Sequence, residues 1–140
     1  MHWYDPLEHA LVTIGPPPRA GAPTVVVSGI PWRTGWRYRE RGYRHIYWDA
    51  GTMLSQLLSV AASAGLATSL YTRFPDARVV ELVGADGVHE WPVAVVSLGS
   101  GAPALEAAGP AATGDVGPDP VEFPLITAAQ RGGDRDVLVT

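Results

Sequence analysis

Residues 24–30, "TVVVSGI", are a nearly continuous run of β-branched side chains. A run of this kind keeps no polar face for water, so it predicts a strand buried on both sides. The remainder of the chain must then supply layers to cover it. A second run, "EWPVAVVSLG" at 90–99, predicts another buried strand. Between them, "AGTMLSQLLSVAASAG" has the period of a helix, with Leu54, Leu57, Leu58 and Ala61 on one wide apolar face. The small residues Ala61, Ala62, Ser63 and Ala64 allow another element to pack closely, and Gly65 fits the position that stops the helix. Strands and helices in this order make an α+β or α/β unit, and 140 residues suit one such domain.

Shorter signals fill in the rest. Residues 9–14 read as a short strand, and three consecutive prolines at 16–18 break it off. Pro31 ends the run at 24–30, and Thr34 is placed to cap a helix over the following residues. Asp49 is placed as a second cap, leading into the apolar helix. After Gly65 come short segments at 67–74 and 78–85, separated by a "PDA" turn, and a "DG" turn at 86–87. Residues 100–120 are rich in Ala, Gly and Pro and have no period, so they read as an arm that acquires structure against a partner. The apolar stretch 121–129 then reads as a docking segment. The expected organisation is a domain at 1–99 and an arm at 100–140.

The charge distribution is uneven. Arg33, Arg37, Arg39, Arg41 and Arg44 fall within twelve positions of a chain whose net charge is −4. Arg37, Arg41, Arg44 and His45 recur at helical spacing with aromatic residues between them. The simplest reading is a solvated helix face with arginine stems lying over rings. The acidic balance, the absence of lysine and the lack of any RNA-module signature oppose nucleic-acid binding. A third reading is a site for a small anion or a reacting group, since guanidinium forks and a phenol can hold or protonate one.

Several chemistries are excluded or unsupported. There is no cysteine, which removes disulfides, Cys-ligated zinc and thiol nucleophiles. His2, His9, His45 and His89 lack metal-ligand spacing, so no metal is expected. "GSG" at 99–101 is not followed by a helix of phosphate-loop pattern, and Ser55 and Ser69 have no neighbouring base and acid. No apolar run approaches the roughly 20 residues of a membrane span, and the N-terminus lacks secretory character, so a cytoplasmic location is expected.

In order along the chain, "HWYDPLEHAL", "WRYRERGYRHIYWDAGTMLSQLLSVAASAGLAT" and "YTRFPDARVVELVGADGVHEWPVAVVSLG" resemble the C-terminal half of nitroreductase-fold flavoenzymes. SagB-type dehydrogenases, which use FMN to oxidise azolines on ribosomally made peptides, have the most similar phrases. The resemblance spans roughly residues 2–99. It implies a mainly antiparallel central sheet packed by helices, with FMN at a dimer interface. It also implies that Tyr71, Thr72 and Arg73 pass along the flavin. A Lys-Tyr pair tied to azoline oxidation in that family corresponds here to Arg37 and Tyr38. Arginine does not release its proton, which leaves position 37 an orienting role and not that of a base. The Asp-Ala-Gly turn usually continues with His, and here continues with Thr52.

The family's N-terminal half, with its phosphate-binding arginines, has no counterpart in these residues. The expected protein is therefore a subunit of an FMN-dependent oxidoreductase that acts on a peptide-derived or small natural-product substrate. It would complete its flavin site in a homo- or hetero-oligomer, with a complementary nitroreductase-like subunit as one option. The alternatives are a non-catalytic scaffold that binds an enzyme partner, and a degenerate product that dimerises without a cofactor.

Overall fold

The computed structural model describes residues 1–112 and 119–139. Its elements run β1 (His2–Asp5), β2 (Ala10–Thr13), β3 (Thr24–Gly29), α1 (Trp32–Tyr38), a 3-10 turn (Arg39–Arg41), α2 (Gly42–Ser63), β4 (Thr68–Tyr71), α3 (Asp76–Val83), β5 (Trp91–Leu98) and α4 (Pro124–Arg131). The architecture is α+β. β1 and β2 form an antiparallel hairpin, while β3, β5 and β4 form an antiparallel sheet in that spatial order.

The centre of this sheet is β5, where every residue from Trp91 to Ser97 is buried. β3 lies at an edge and buries only Val27 and Gly29 completely, which corrects the expectation for the run at 24–30. The β-branched side chains suit either position, and only pairing on both sides distinguishes a central strand. Pro92 has no N–H to donate, and the ladder adjusts beside it. Val27 faces Ala94 but Ser28 faces Pro92, so Val93 is the extra residue of a bulge.

The helix expected from Thr34 is divided in two. α1 begins at Trp32, directly after Pro31, and its last residue is followed by Arg39 at φ 51°, ψ −138°. α2 then runs without a break past Asp49, which caps nothing. The division has a packing cause. A Cβ at Gly42 would meet the backbone of Gly35 at 3.4 Å, so α1 and α2 cross almost backbone to backbone and the chain must turn between them. The end of α2 follows expectation. Gly65, at φ 71°, donates to the Ala62 carbonyl (3.0 Å), and Leu66 donates to that of Ala61 (2.9 Å).

Two clusters of buried side chains flank β5. One joins Val27, Ile46, Ala50, Trp91, Phe123 and Ile126 with neighbours on β5, and the other joins Tyr71, Phe74, Val79, Leu82, Val95 and Leu105. Residues after β5 therefore contribute to both. Pro103 bridges Ala22, Arg19 donates to the Glu106 carbonyl (3.1 Å), and Ala112 donates to that of Ile14 (2.6 Å). α4 is amphipathic, and Phe123 and Ile126 bring the 121–129 segment onto this chain's own core. The part of the Ala/Gly/Pro-rich arm at 113–118, and residue 140, lie outside the described residues. Among the described residues no helix is long and apolar enough to cross a membrane.

Candidate functional site

Arg37 and Tyr38 close α1, and both are exposed. The Arg37 guanidinium carbon lies 5.9 Å from the centroid of the Tyr38 ring, within cation–π range. On α2, the His45 ring stacks on Tyr38, with centroids 4.1 Å apart and planes at 24°. Trp48 meets His45 edge-on at 5.0 Å. The result is a column of guanidinium, phenol, imidazole and indole that spans two helices. Arg39 makes this geometry possible: its positive φ, uncommon for a non-glycine residue, reverses the chain directly after Tyr38.

The column rests on a tightly packed base. A Cβ added to Gly35 would sit 2.4 Å from the ring of Phe123, so α1 is held between α2 and the segment leading into α4. The Tyr47 hydroxyl on α2 donates to Oε1 of the buried Gln130 on α4 at 2.5 Å. Burial raises the Tyr47 pKa above the ordinary tyrosine value, with the Tyr43 hydroxyl adding to the effect. This phenol stays neutral and keeps its proton to donate.

The second predicted group follows β4. Tyr71 is buried, with its side chain in the cluster of Phe74, Val79 and Leu82. Thr72 and Arg73 are exposed, and Phe74 turns inward again. The Arg73 carbonyl accepts the N–H of Val139 at 2.9 Å. Close by, Asp76 and Arg135 exchange two bonds: the Asp76 N–H donates to the Arg135 carbonyl (2.9 Å), and the Arg135 N–H to Asp76 Oδ2 (2.7 Å). Burial raises the Asp76 pKa above the usual carboxylate value, partly offset by the bond from Arg135.

The topology relates the two groups. β3 and β4 both run antiparallel to β5, so both lead toward its Trp91 end, and 37–38 and 71–73 follow them there. One strand separates β3 from β4, a spacing of about 10 Å. A cavity of about 170 Å³ is lined by Asp76, Trp91, Gln130, Arg131 and their neighbours, and an open groove of about 500 Å³ by Arg19, Glu81 and residues 107–111. Neither includes Arg37, Tyr38, Tyr71, Thr72 or Arg73.

The Arg37–Tyr38 pair stands out in the sequence, and its supports do not. His45 was visible only as one member of a polar helix face, and nothing marked it as the ring beneath Tyr38. Gly42, inside a helical pattern, was the available signal for the break that folds Tyr38 back. Among the described residues, no three His, Asp or Glu side chains converge as a metal site.

The sequence profile of the Nitroreductase family matches residues 13–100. No curated protein matches the chain significantly. Among solved structures, it is similar to a candidate nitroreductase from Anabaena variabilis, at 23% identity and a TM-score of 0.62. The similarity covers 84% of this chain and 25% of that one, so the chain spans about a quarter of that protein's length. At this identity the likeness concerns the fold, and the profile covers well over half of the 140 residues. The chain belongs to the Nitroreductase family.

Proposed function

We propose that the chain is a cytoplasmic subunit of an FMN-dependent oxidoreductase, related in type to the SagB dehydrogenases, that completes its flavin site with a partner chain. The observation behind this reading is the placement of Arg37, Tyr38, Thr72 and Arg73. All four are exposed polar side chains following parallel strands toward one end of the sheet, in a family whose members generally use flavin. Their donor chemistry fits the polar edge of a flavin: a hydroxyl and a guanidinium at 72–73, a guanidinium and a phenol at 37–38. They would offer one wall of the site, and the two cavities described above are lined by other residues. A second polypeptide would supply the opposite wall and the phosphate contacts.

FMN, when bound, supplies hydride transfer, and the protein contributes orientation and electrostatics. Thr72 and Arg73 would hold the cofactor's polar edge, with the Tyr71 backbone beside them. Arg37 stays cationic and orients an electron-rich substrate group. Tyr38 holds a transferable proton on its phenol oxygen. The substrate class is a peptide-derived or small natural-product molecule presented at Tyr38.

One observation favours a scaffold instead. The Tyr71 side chain is committed to the core, which removes one of five expected site residues from direct contact. Replacing Arg37, Tyr38 and Arg73 together by Ala in the assembled complex separates the readings. Loss of turnover supports the enzyme, and retained turnover supports the scaffold.

A further inference from the structure

The arginine-rich segment is more than the setting of Arg37 and Tyr38. Residues 33–44 contain five arginines and Glu40, a net of +4, so the rest of the chain carries −8 of the overall −4. All five arginines are exposed. The chain has 14 acidic residues, yet among the described residues no arginine reaches a carboxylate at ion-pair distance, and the one ion pair joins His89 to Asp86. Among the described residues, then, no carboxylate fills the guanidinium forks of 33–44. They are displayed on ordered helical backbone, α1 through the start of α2, and not on a loose tail. Exposed indoles stand among them: Trp36 at 71% and Trp48 at 55% of full exposure.

We propose that this surface docks an acidic segment of a partner polypeptide, with spaced Asp or Glu side chains filling the forks of Arg33, Arg41 and Arg44 and apolar residues between them lying on Trp36 and Trp48. Charge complementarity selects the class. Guanidinium pairs with carboxylate two bonds at a time, which favours discrete carboxylates over diffuse charge. The patch is short and the remaining −8 would repel a long polyanion extending beyond it, which disfavours nucleic acid. The inference does not depend on flavin, and its test leaves Arg37 and Tyr38 untouched.

The experiment is fluorescence anisotropy of the full chain with a short labelled peptide alternating Glu and Ala. Its Gln counterpart, an oligothymidylate and phosphatidylserine vesicles serve as competing arms. The expected result is binding of the Glu peptide only, weakening steeply as salt shortens the screening length from about 30 Å at 0.01 M to about 3 Å at 1 M. Arg33→Ala, Arg41→Ala and Arg44→Ala combined should weaken it roughly tenfold. The corresponding Lys triple, which preserves charge and tests the fork should the Ala triple fail to fold, should retain part of the affinity. Arg78→Ala, on α3, should leave it unchanged. Equal binding of the Gln peptide, preference for the oligonucleotide or the vesicles, or full affinity in both triple variants would overturn the proposal.

Discussion

Tyr38 stacks on His45 across the junction of α1 and α2, with centroids 4.1 Å apart. Arg37 stands 5.9 Å from the same phenol ring. Among the described residues the Tyr38 hydroxyl has no hydrogen-bond partner, and ring contact holds the phenol. In the flavin-loaded assembly, Tyr38→Phe is expected to lower turnover by about 10² or more, the usual weight of a positioned proton donor, with flavin content unchanged. His45→Phe keeps the stack and should retain most of the turnover, whereas His45→Ala should lose a substantial part. Steady-state kinetics with flavin absorbance on the same samples checks all three. Unchanged turnover in Tyr38→Phe removes the phenol from the chemistry.

Two helical glycines, Gly35 on α1 and Gly51 on α2, stand in opposite surroundings. A methyl group at Gly35 would meet Phe123 ring atoms at 2.4 to 2.9 Å, while at Gly51, in the middle of α2, it would meet nothing within 4 Å. Gly35→Ala should therefore destabilise by about 1–3 kcal/mol through overpacking. Gly51→Ala should stabilise by about 1 kcal/mol through helix propensity. Urea denaturation of both variants tests the pair, and equal effects would mean that α1 is not held against Phe123.

How much of this was legible in the sequence depended on the range of the interaction. Local chemistry read well: Gly65 ended α2, and Pro31 ended β3. The buried strand at 91–98 and the apolar helix face were likewise clear from period alone. Long-range facts did not read. Nothing in "TVVVSGI" says whether one or two strands pair with it, so an edge strand reads there as a doubly covered one. The break at Arg39 comes from the contact of Gly35 with Gly42 and Phe123, a tertiary cause with no helical signature of its own. Tyr71 illustrates the same limit. The resemblance places it along a flavin, but its side chain lies in a cluster with Val79 on α3 and Val95 on β5.

The turn before β5 carries a pH dependence. Asp86 Oδ1 accepts the N–H groups of Val88 (2.8 Å), His89 (2.7 Å) and Glu90 (3.1 Å), while Oδ2 lies 2.7 Å from His89 Nδ1. Partial burial raises the carboxyl pKa, but these bonds outweigh it and bring it down to about 2 from an ordinary 3.8. A depressed carboxylate pKa stabilises the fold above the unfolded value. That contribution is fully present above about pH 4 and is lost as the pH falls toward 2. The group is partly exposed, so solvent screening reduces its weight. Asp86→Asn should lower stability modestly at neutral pH and flatten the acid limb between pH 4 and 2, as read from thermal melts across that range. An unchanged acid limb would contradict this assignment.

On the function proposed above, this chain offers one wall of a flavin site that another polypeptide completes. An FMN titration followed by visible absorbance and sedimentation on the same sample separates the outcomes, with the chain alone and with any polypeptide that copurifies with it. The expected result is flavin that sediments only with an oligomer or complex and leaves any monomer colourless. A stable, saturated assembly that takes up no FMN, or a monomer that binds it stoichiometrically, would contradict the claim.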